Sequence, residues 1–348
     1  MNRSQPETGL RARLRNLFVF LRRENLLRLF LILASMILLG AIGMSAFEPK
    51  TSFPNAIWWS VVTLTTVGYG DISPTTLGGR LIGMLIMFCG IGVLGIFSAT
   101  VASVLVERKL KEDRGMHSYD FSDHIILCEW NYRAKEILHE LHADQQGHEV
   151  PIVLIAELEL KPIDNDNLYF VQGDINEETL NQANLAKARS TIILGDDRLE
   201  PRARDAKVVL STLTVESLNP DVYTIVELVD ATNVRHCERA QANEIIVGSE
   251  FSSKLISRAT MEHGISKVIS EILSSRFGNN LFKVPVPEPM AGKTFMDVFT
   301  QMKQVHNSTV LAVLKGGEGE VMSNPPADHL VESGDHLIVV SARRPQAS

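Results

Sequence analysis

The chain has 348 residues and a formal net charge of −7 at pH 7, a length that suits two or three domains. Its three cysteines, Cys89, Cys128 and Cys237, fall in one apolar run and in the soluble part, which excludes a disulfide framework, and nothing in the charge balance implies nucleic acid.

The first 28 residues are basic, with Arg3, Arg11, Arg13, Arg15, Arg22, Arg23 and Arg28. The stretch "LRARLRNLFVFLRREN" reads equally as an amphipathic helix along the inner leaflet or as a basic cytosolic tail. No charged residue occurs from Leu29 to Phe47, nor from Leu81 to Val106. About 20 apolar residues span a bilayer core, so both runs read as transmembrane helices. A signal peptide would be shorter and end in a small-residue cleavage site. Basic residues cluster before the first run and again after the second, at Arg108, Lys109, Lys111 and Arg114, whereas only Lys50 and Arg80 lie between. This asymmetry predicts a multi-pass membrane protein with both termini cytoplasmic and the 48–78 loop outside.

That loop is too apolar to be solvated, with Phe53, Ile57, Trp58, Trp59, Val61, Val62 and Leu64. Pro54 suits a first helical turn, and a short helix from about Phe53 to Thr65 would dip into the membrane. The "TVGYG" that follows is not helical, and such backbone is tolerated at membrane depth only when it is buried in protein or lines a water-filled path. A helix C-terminus aimed inward carries partial negative charge. Glycines at alternate positions let successive carbonyls turn to one side, where they can replace an ion's hydration shell.

The segment "WWSVVTLTTVGYGD" resembles the pore of the two-transmembrane potassium channels, and the likeness extends from about Phe53 to Val106. The resemblance implies a homotetramer around one pore that passes potassium ions. Thr66, Val67, Gly68, Tyr69 and Gly70 would form the selectivity filter, supported by Trp58, Trp59 and Asp71. Some members pair the aspartate with a pore-helix glutamate; Val62 stands there, so filter inactivation through that carboxyl pair is not carried over. Gly90 falls where the family places a gating hinge, while the plain role of Gly90, Gly92 and Gly95 is close helix packing. Ser98, Ala99, Ala102 and Ser103 are small enough to line the intracellular mouth.

After a linker at 107–121, strand patterns "HIILCEW", "PIVLIAE", "LYFVQGD", "STIILGD", "VYTIVELV" and "NEIIVGS" alternate with helical ones. They predict an α/β Rossmann-type doubly wound domain over 122–250. A helical stretch at 251–280 and a small α+β lobe at 281–343, with strands in "STVLAVLK" and "HLIVVSA", complete the chain. The fold class is thus a membrane α-helical pore domain followed by a Rossmann-type domain and a small C-terminal lobe. This order resembles channels with a C-terminal RCK (regulator of potassium conductance, TrkA-N/TrkA-C type) domain. The resemblance implies that cytosolic domains pair through the helical linker, about Ser252–Phe277, and permits an eight-domain ring completed by soluble copies started at Met116. Ring movement would reach the inner helices through "ERKLKEDRGMHSYD".

Two ligand sites stay open. After the first strand, Glu129, Asn131 and Ala134 occupy the glycine places of a dinucleotide motif. With Arg133, and with Glu157 and Asp174 at the next two strand ends, they form a degraded site for NAD or another adenine nucleotide, and a fold that persists without its nucleotide is the alternative. Calcium needs several oxygen ligands, which Asp196, Asp197, Glu200, Glu227 and Asp230 could offer, although Val229 replaces a second glutamate of the calcium-gated members. Solvated loop carboxylates are the alternative there. No catalytic acid–base set stands out, so the chain reads as a ligand-gated potassium channel and not an enzyme. The rival readings are a membrane-anchored nucleotide-binding accessory of potassium transport and a membrane-anchored NAD-dependent oxidoreductase.

Overall fold

A computed structural model describes residues 26–144, 147–317 and 319–345. The proposed amphipathic or basic segment therefore lies, up to residue 25, outside the described residues. The chain divides into two compact units, Met1–Lys111 and Glu112–Ser348.

In the first unit, α1 (Leu26–Phe47) and α3 (Leu77–Asp113) are long and apolar enough to cross a membrane. Between them lies α2 (Phe53–Leu64), with Ser52 at its N-cap and Pro54 in its first turn. Ala41 and Met44 of α1 pack on Ala56 and Trp59 of α2. The approach is close because residue 40 is glycine: a Cβ there would stand 2.8 Å from the Ser60 hydroxyl. Helix α3 outruns its apolar stretch at both ends. It carries the Lys111–Glu107 pair at 2.6 Å on a final charged turn, an i,i+4 arrangement that supports the helix where the lipid-compatible sequence stops.

The second unit contains a six-stranded parallel sheet in the order β3-β2-β1-β4-β5-β6. Its strands are β1 (His124–Cys128), β2 (Ile152–Ala156), β3 (Leu168–Gln172), β4 (Ala188–Ile193), β5 (Tyr223–Leu228) and β6 (Glu244–Val247). Strands β1 and β2 are buried on every residue, β1 as HIILC and β2 as IVLIA, as a sheet covered on both faces requires. One face packs α4 (Tyr132–Ala143) through Ala134 and Leu138; the other packs α6 (Pro201–Leu218) through Val208 and Val215. The stretch "NEETLNQANLA" after β3 does not form one helix. It begins in an Asn176–Thr179 capping box as α5 (Glu177–Gln182) and stops because Asn184 takes a left-handed φ of 58°. A short helix, α7 (Val234–Arg239), joins β5 to β6.

After β6, α8 (Gly248–Met261) and α9 (Ile265–Leu273) turn at Gly264 and bury none of their residues. Consequently, among the described residues, no helix covers the β4–β6 part of one sheet face. Ile192, Leu194, Ile225 and Ile246 line an open apolar cavity of about 240 Å³ there, with Ile137 at its side. The C-terminal lobe is a four-stranded antiparallel sheet, β7-β10-β8-β9, formed by β7 (Asn280–Pro285), β8 (Thr309–Leu314), β9 (Val321–Ser323) and β10 (His336–Ser341). A helix not assigned from the sequence, α10 (Phe295–His306), closes its core with Phe295, Val298 and Met302, an i, i+3, i+7 stripe.

Leu138 is fully buried between α4 and the sheet. Leu138→Ala should lower the unfolding free energy of the cytosolic unit by ~2–5 kcal/mol, read as a shifted midpoint at unchanged slope in urea titration.

Candidate functional site

The filter segment is built by the last turn of α2. Thr65 N–H donates to Val61 O at 2.9 Å and Thr66 N–H to Thr63 O at 3.1 Å. Val62 O accepts from both Val67 N–H at 3.0 Å and Gly68 N–H at 3.3 Å. The amides at the start of the filter are thus spent on helix carbonyls that would otherwise be orphaned. Thr66, Gly68 and Gly70 have φ of 63°, 61° and 73°, while Val67 and Tyr69 between them are not left-handed. An alternation of handedness along a strand brings successive carbonyls to one side. Thr66 holds this conformation without being glycine, a strained choice of the kind found at functional backbone.

Two contacts fix the segment from outside. Trp58 Nε1–H donates to Asp71 Oδ2 at 2.8 Å, and the Trp58 ring stacks on Tyr69 with centroids 5.9 Å apart. Trp59 is buried against α1. A third clamp was not foreseen. Glu48, the first residue after α1, accepts from Thr75 N–H at 2.7 Å, Thr76 N–H at 2.6 Å and both hydroxyls at 2.8 and 2.9 Å. The Thr76 amide, helped by the other three donors and opposed by burial, pushes this carboxyl down to about 2. Thr76 Oγ1 in turn accepts from Gly79 N–H at 3.0 Å, so Glu48 holds the cap of α3.

In the cytosolic unit, four carboxylates gather at the carboxyl ends of β1 to β4. Lys207 of α6 reaches all of them: Asp174 at 3.0 Å, Asp196 at 3.5 Å, Glu129 at 3.7 Å and Glu157 at 3.8 Å. Arg198 adds a paired contact to Asp196, the closer at 2.8 Å, and one to Glu157 at 3.0 Å. Four carboxylates face two cations, a formal excess of two negative charges. Burial and the neighbouring Asp196 push the Glu129 carboxyl up, against the Trp130 amide, Lys207 and Arg198. Arg198 pushes Asp196 the other way, down to about 2. Burial opposes the charge of Lys207, but its hydrogen bond to Asp174 and the surrounding carboxylates outweigh that and raise it. Glu129 has a φ of 76°, a left-handed turn at the place where a dinucleotide motif carries its first glycine.

A second charged group lies beside the first and is balanced. Arg133 holds Glu227 with contacts of 2.7 and 2.8 Å and Asp197 at 2.7 Å; Arg204 holds Asp197 at 2.8 Å and Glu227 at 3.2 Å. Asn131 caps α4 by accepting from Ala134 N–H at 3.0 Å and donates to Gly195 O at 3.0 Å. Asp230 accepts from Thr232 N–H at 2.9 Å, in a turn fixed by Asp205, and joins neither group.

The two sets expected from the sequence are therefore regrouped. Asp196 stands with Glu129, Glu157 and Asp174; Arg133 stands with Asp197 and Glu227; Asp230 stands apart. Among the described residues, no three His, Cys, Asp or Glu side chains are grouped to hold a metal ion as they stand. The basic residues that organise both groups, Arg198, Arg204 and Lys207, were missed. Their spacing in "RLEPRARDAK" was the available signal, because Arg204 and Lys207 are one helical turn apart on α6.

Residues 28–107 match a family model described as ion channel, and residues 120–226 match one described as the calcium-activated potassium channel slowpoke-like RCK domain. The calcium-gated potassium channel TvoK of Thermoplasma volcanium is 31% identical over 301 residues, 85% of this chain and 84% of its own. YugO of Bacillus subtilis, assigned to the potassium channels, is 31% identical over 328 residues, 92% of this chain and 97% of its own. Among solved structures, the human SLO3 gating ring aligns over 63% of this chain and 44% of its own, with a TM-score of 0.51 and 13% identity, a likeness of fold alone.

Two predictions follow from this geometry. Trp58→Phe keeps the ring and removes the donor to Asp71, so filter conduction should become less stable by about 0.5–1.5 kcal/mol, read as a shortened mean open time in single-channel records. Asp196 is depressed from 3.8 to about 2 in the folded state, so its contribution is complete above pH 4 and is lost as pH falls toward 2. Thermal melts of the wild-type cytosolic unit should fall more steeply across that window than those of Asp196→Asn.

Proposed function

The chain belongs to the potassium channels that join a two-span pore to a cytosolic RCK domain, a ligand-gated channel of the membrane, and from this premise we propose how its own residues select the ion and sense the ligand. Four copies surround one axis, because a single filter strand cannot encircle an ion. The carbonyls of Thr66, Val67, Gly68, Tyr69 and Gly70, with the Thr66 hydroxyl, replace the hydration shell of potassium. The observation that carries this reading is the alternating backbone of Thr66, Gly68 and Gly70 combined with amides already bonded to α2. Gly90 is the hinge of the inner helix. It is buried against Leu64 at the end of α2, where an added Cβ would stand 3.4 Å from Leu64 Cγ, so bending at this point changes the inner helix next to the filter's support.

The cytosolic domains pair by laying α8 and α9 of one copy over the bare β4–β6 face of another; the unburied residues of these helices and the uncovered isoleucines support this. Further copies started at Met116 complete an eight-domain ring. Both termini face the cytoplasm of the cell (inner) membrane, as Arg108, Lys109, Lys111 and Arg114 after the second span favour.

The ligand is a calcium ion taken by Glu129, Glu157, Asp174 and Asp196. Their oxygens are hard donors, they keep a formal excess of negative charge even with Lys207 and Arg198 in place, and a carboxylate buried at Glu129 opposes a phosphate. NAD and adenine nucleotides are accordingly disfavoured at this crevice. Lys207 now stands at the centre, so calcium competes with its ammonium group. TvoK, a relative named for calcium gating, supports the choice of ion.

Recording from the purified channel in bilayers tests the whole reading. A reversal potential near that of potassium, and open probability that rises with cytosolic calcium, are expected. Asp174→Asn should raise the calcium needed about tenfold, the equivalent of about 1.4 kcal/mol, and Lys207→Gln should lower it. A calcium response indifferent to Asp174→Asn but lost in Glu227→Gln would move the site to the Arg133–Arg204 group. A response to NAD or ADP and none to calcium would replace the ion by a nucleotide.

A further inference from the structure

The segment that leaves α3 is not a slack tether. Helix α3 runs unbroken to Asp113, whose carbonyl accepts from Lys161 N–H at 2.7 Å. Gly115 then turns the chain with a φ of 66°, and its carbonyl accepts from Gln172 N–H at 3.1 Å. Met116 forms an antiparallel bridge with Val171. Tyr119, only 8% exposed, bonds through its hydroxyl to Phe170 O at 3.1 Å and Phe170 N at 3.3 Å, and its own amide donates to Gln182 O at 2.8 Å. Its ring lies against Phe121 and Tyr169. Three successive residues of β3 are therefore tied to the chain that leaves the inner helix. β3 can accept this partner because it is the edge strand of the sheet, with a free row of amides and carbonyls.

The same strand ends in the charged crevice. Gln172 is followed by Gly173, whose amide donates to Ala156 O at 3.0 Å, and then by Asp174, which holds Lys207 at 3.0 Å. Only Gly173 thus separates the last bond to the linker from a carboxylate of the crevice. We propose that Asp113–Tyr119 is the coupling strut of this channel, stapled to β3, and that Gly115 is the positioning residue that makes the staple. A displacement of Asp174 is passed along β3 through Gln172 and Gly115 to the last turn of α3. The proposal rests on the crevice being the sensing site.

Only glycine fits at 115. A Cβ there would stand 2.3 Å from the Gln172 nitrogen, 2.9 Å from Phe170 Cδ1 and 2.9 Å from the Val171 carbonyl carbon, and φ is left-handed as well. The obstacles are mostly backbone and cannot swing aside. Any side chain must push the segment off the strand.

A double-mutant cycle on the full-length channel tests this without need of a ligand. Lys207→Gln changes the charge beside Asp174 and should shift basal open probability several-fold in the wild-type background. In Gly115→Ala the same change should have no effect, while the potassium-to-sodium permeability ratio stays as in wild type. Equal shifts in both backgrounds, zero included, would overturn the proposal. Tyr119→Phe, which loses only the hydroxyl bonds to Phe170, should give an intermediate cycle if Gly115→Ala folds poorly. Hydrogen exchange on the intact channel is the second reading. The Gln172 and Tyr119 amides should be slow in wild type and fast in Gly115→Ala, with β1 and β2 still protected; fast exchange of both in wild type would also overturn the strut. A wild-type channel that ignores added calcium would instead count against the assigned ligand and leave both of these readouts to judge the strut.

Discussion

Everything in the pore unit depends on how two sets of backbone groups are shared at the end of α2. Helix carbonyls with no intrahelical partner meet filter amides with no strand partner, and Val62 O serves two of them at once. The trade leaves the filter carbonyls as the groups still seeking a partner. In a medium without water, that deficiency is costly unless a cation passes by. The surrounding contacts hold this state in place. Trp58 ties Asp71 behind the filter, Trp59 anchors α2 to α1, and Glu48 joins the end of α1 to the cap of α3. The filter is thus framed by all three helices of its own subunit.

The cytosolic unit solves a different problem, the placement of many like charges in a small volume. A parallel sheet aligns the carboxyl ends of its strands, and the change of direction between β1 and β4 opens a crevice there. Residues that leave consecutive strands, Glu129, Glu157, Asp174 and Asp196, necessarily converge at that edge. α6 then decides the outcome. It sends Lys207 into the four-carboxylate group and Arg204 into the neighbouring one. Two charged clusters therefore sit side by side, one balanced and one short of positive charge, on a helix that contacts both.

Much of this was legible in the sequence because it was written in local patterns. Uncharged runs announced α1 and α3, and strand patterns alternating with helical ones announced the parallel sheet, while the filter is a reading of residue type and order. What escaped reading was long-range. Glu48 reads as an ordinary loop acid until it meets Thr75 and Thr76, 27 and 28 residues away. Asp196 and Asp197 are adjacent in sequence yet face different clusters, since consecutive residues after a strand leave in opposite directions. Helix α10 was overlooked because its stripe, Phe295, Val298 and Met302, is only about two turns long, and only the lobe's sheet gives the stripe a surface to cover.

The unequal charge of the two clusters has a consequence for the solution around them. The balanced group cancels at contact distance, so dissolved salt has little left to screen. The four-carboxylate group keeps a net field, and Glu157 and Asp174 open it to solvent, with 47% and 52% of their side chains exposed. Over a Debye length of about 8 Å at physiological ionic strength, that field fades as monovalent cations accumulate. Potassium, the ion that channels of this family conduct, is such a cation. The ion that the pore passes therefore also sets the electrostatic baseline of the crevice proposed to take the ligand.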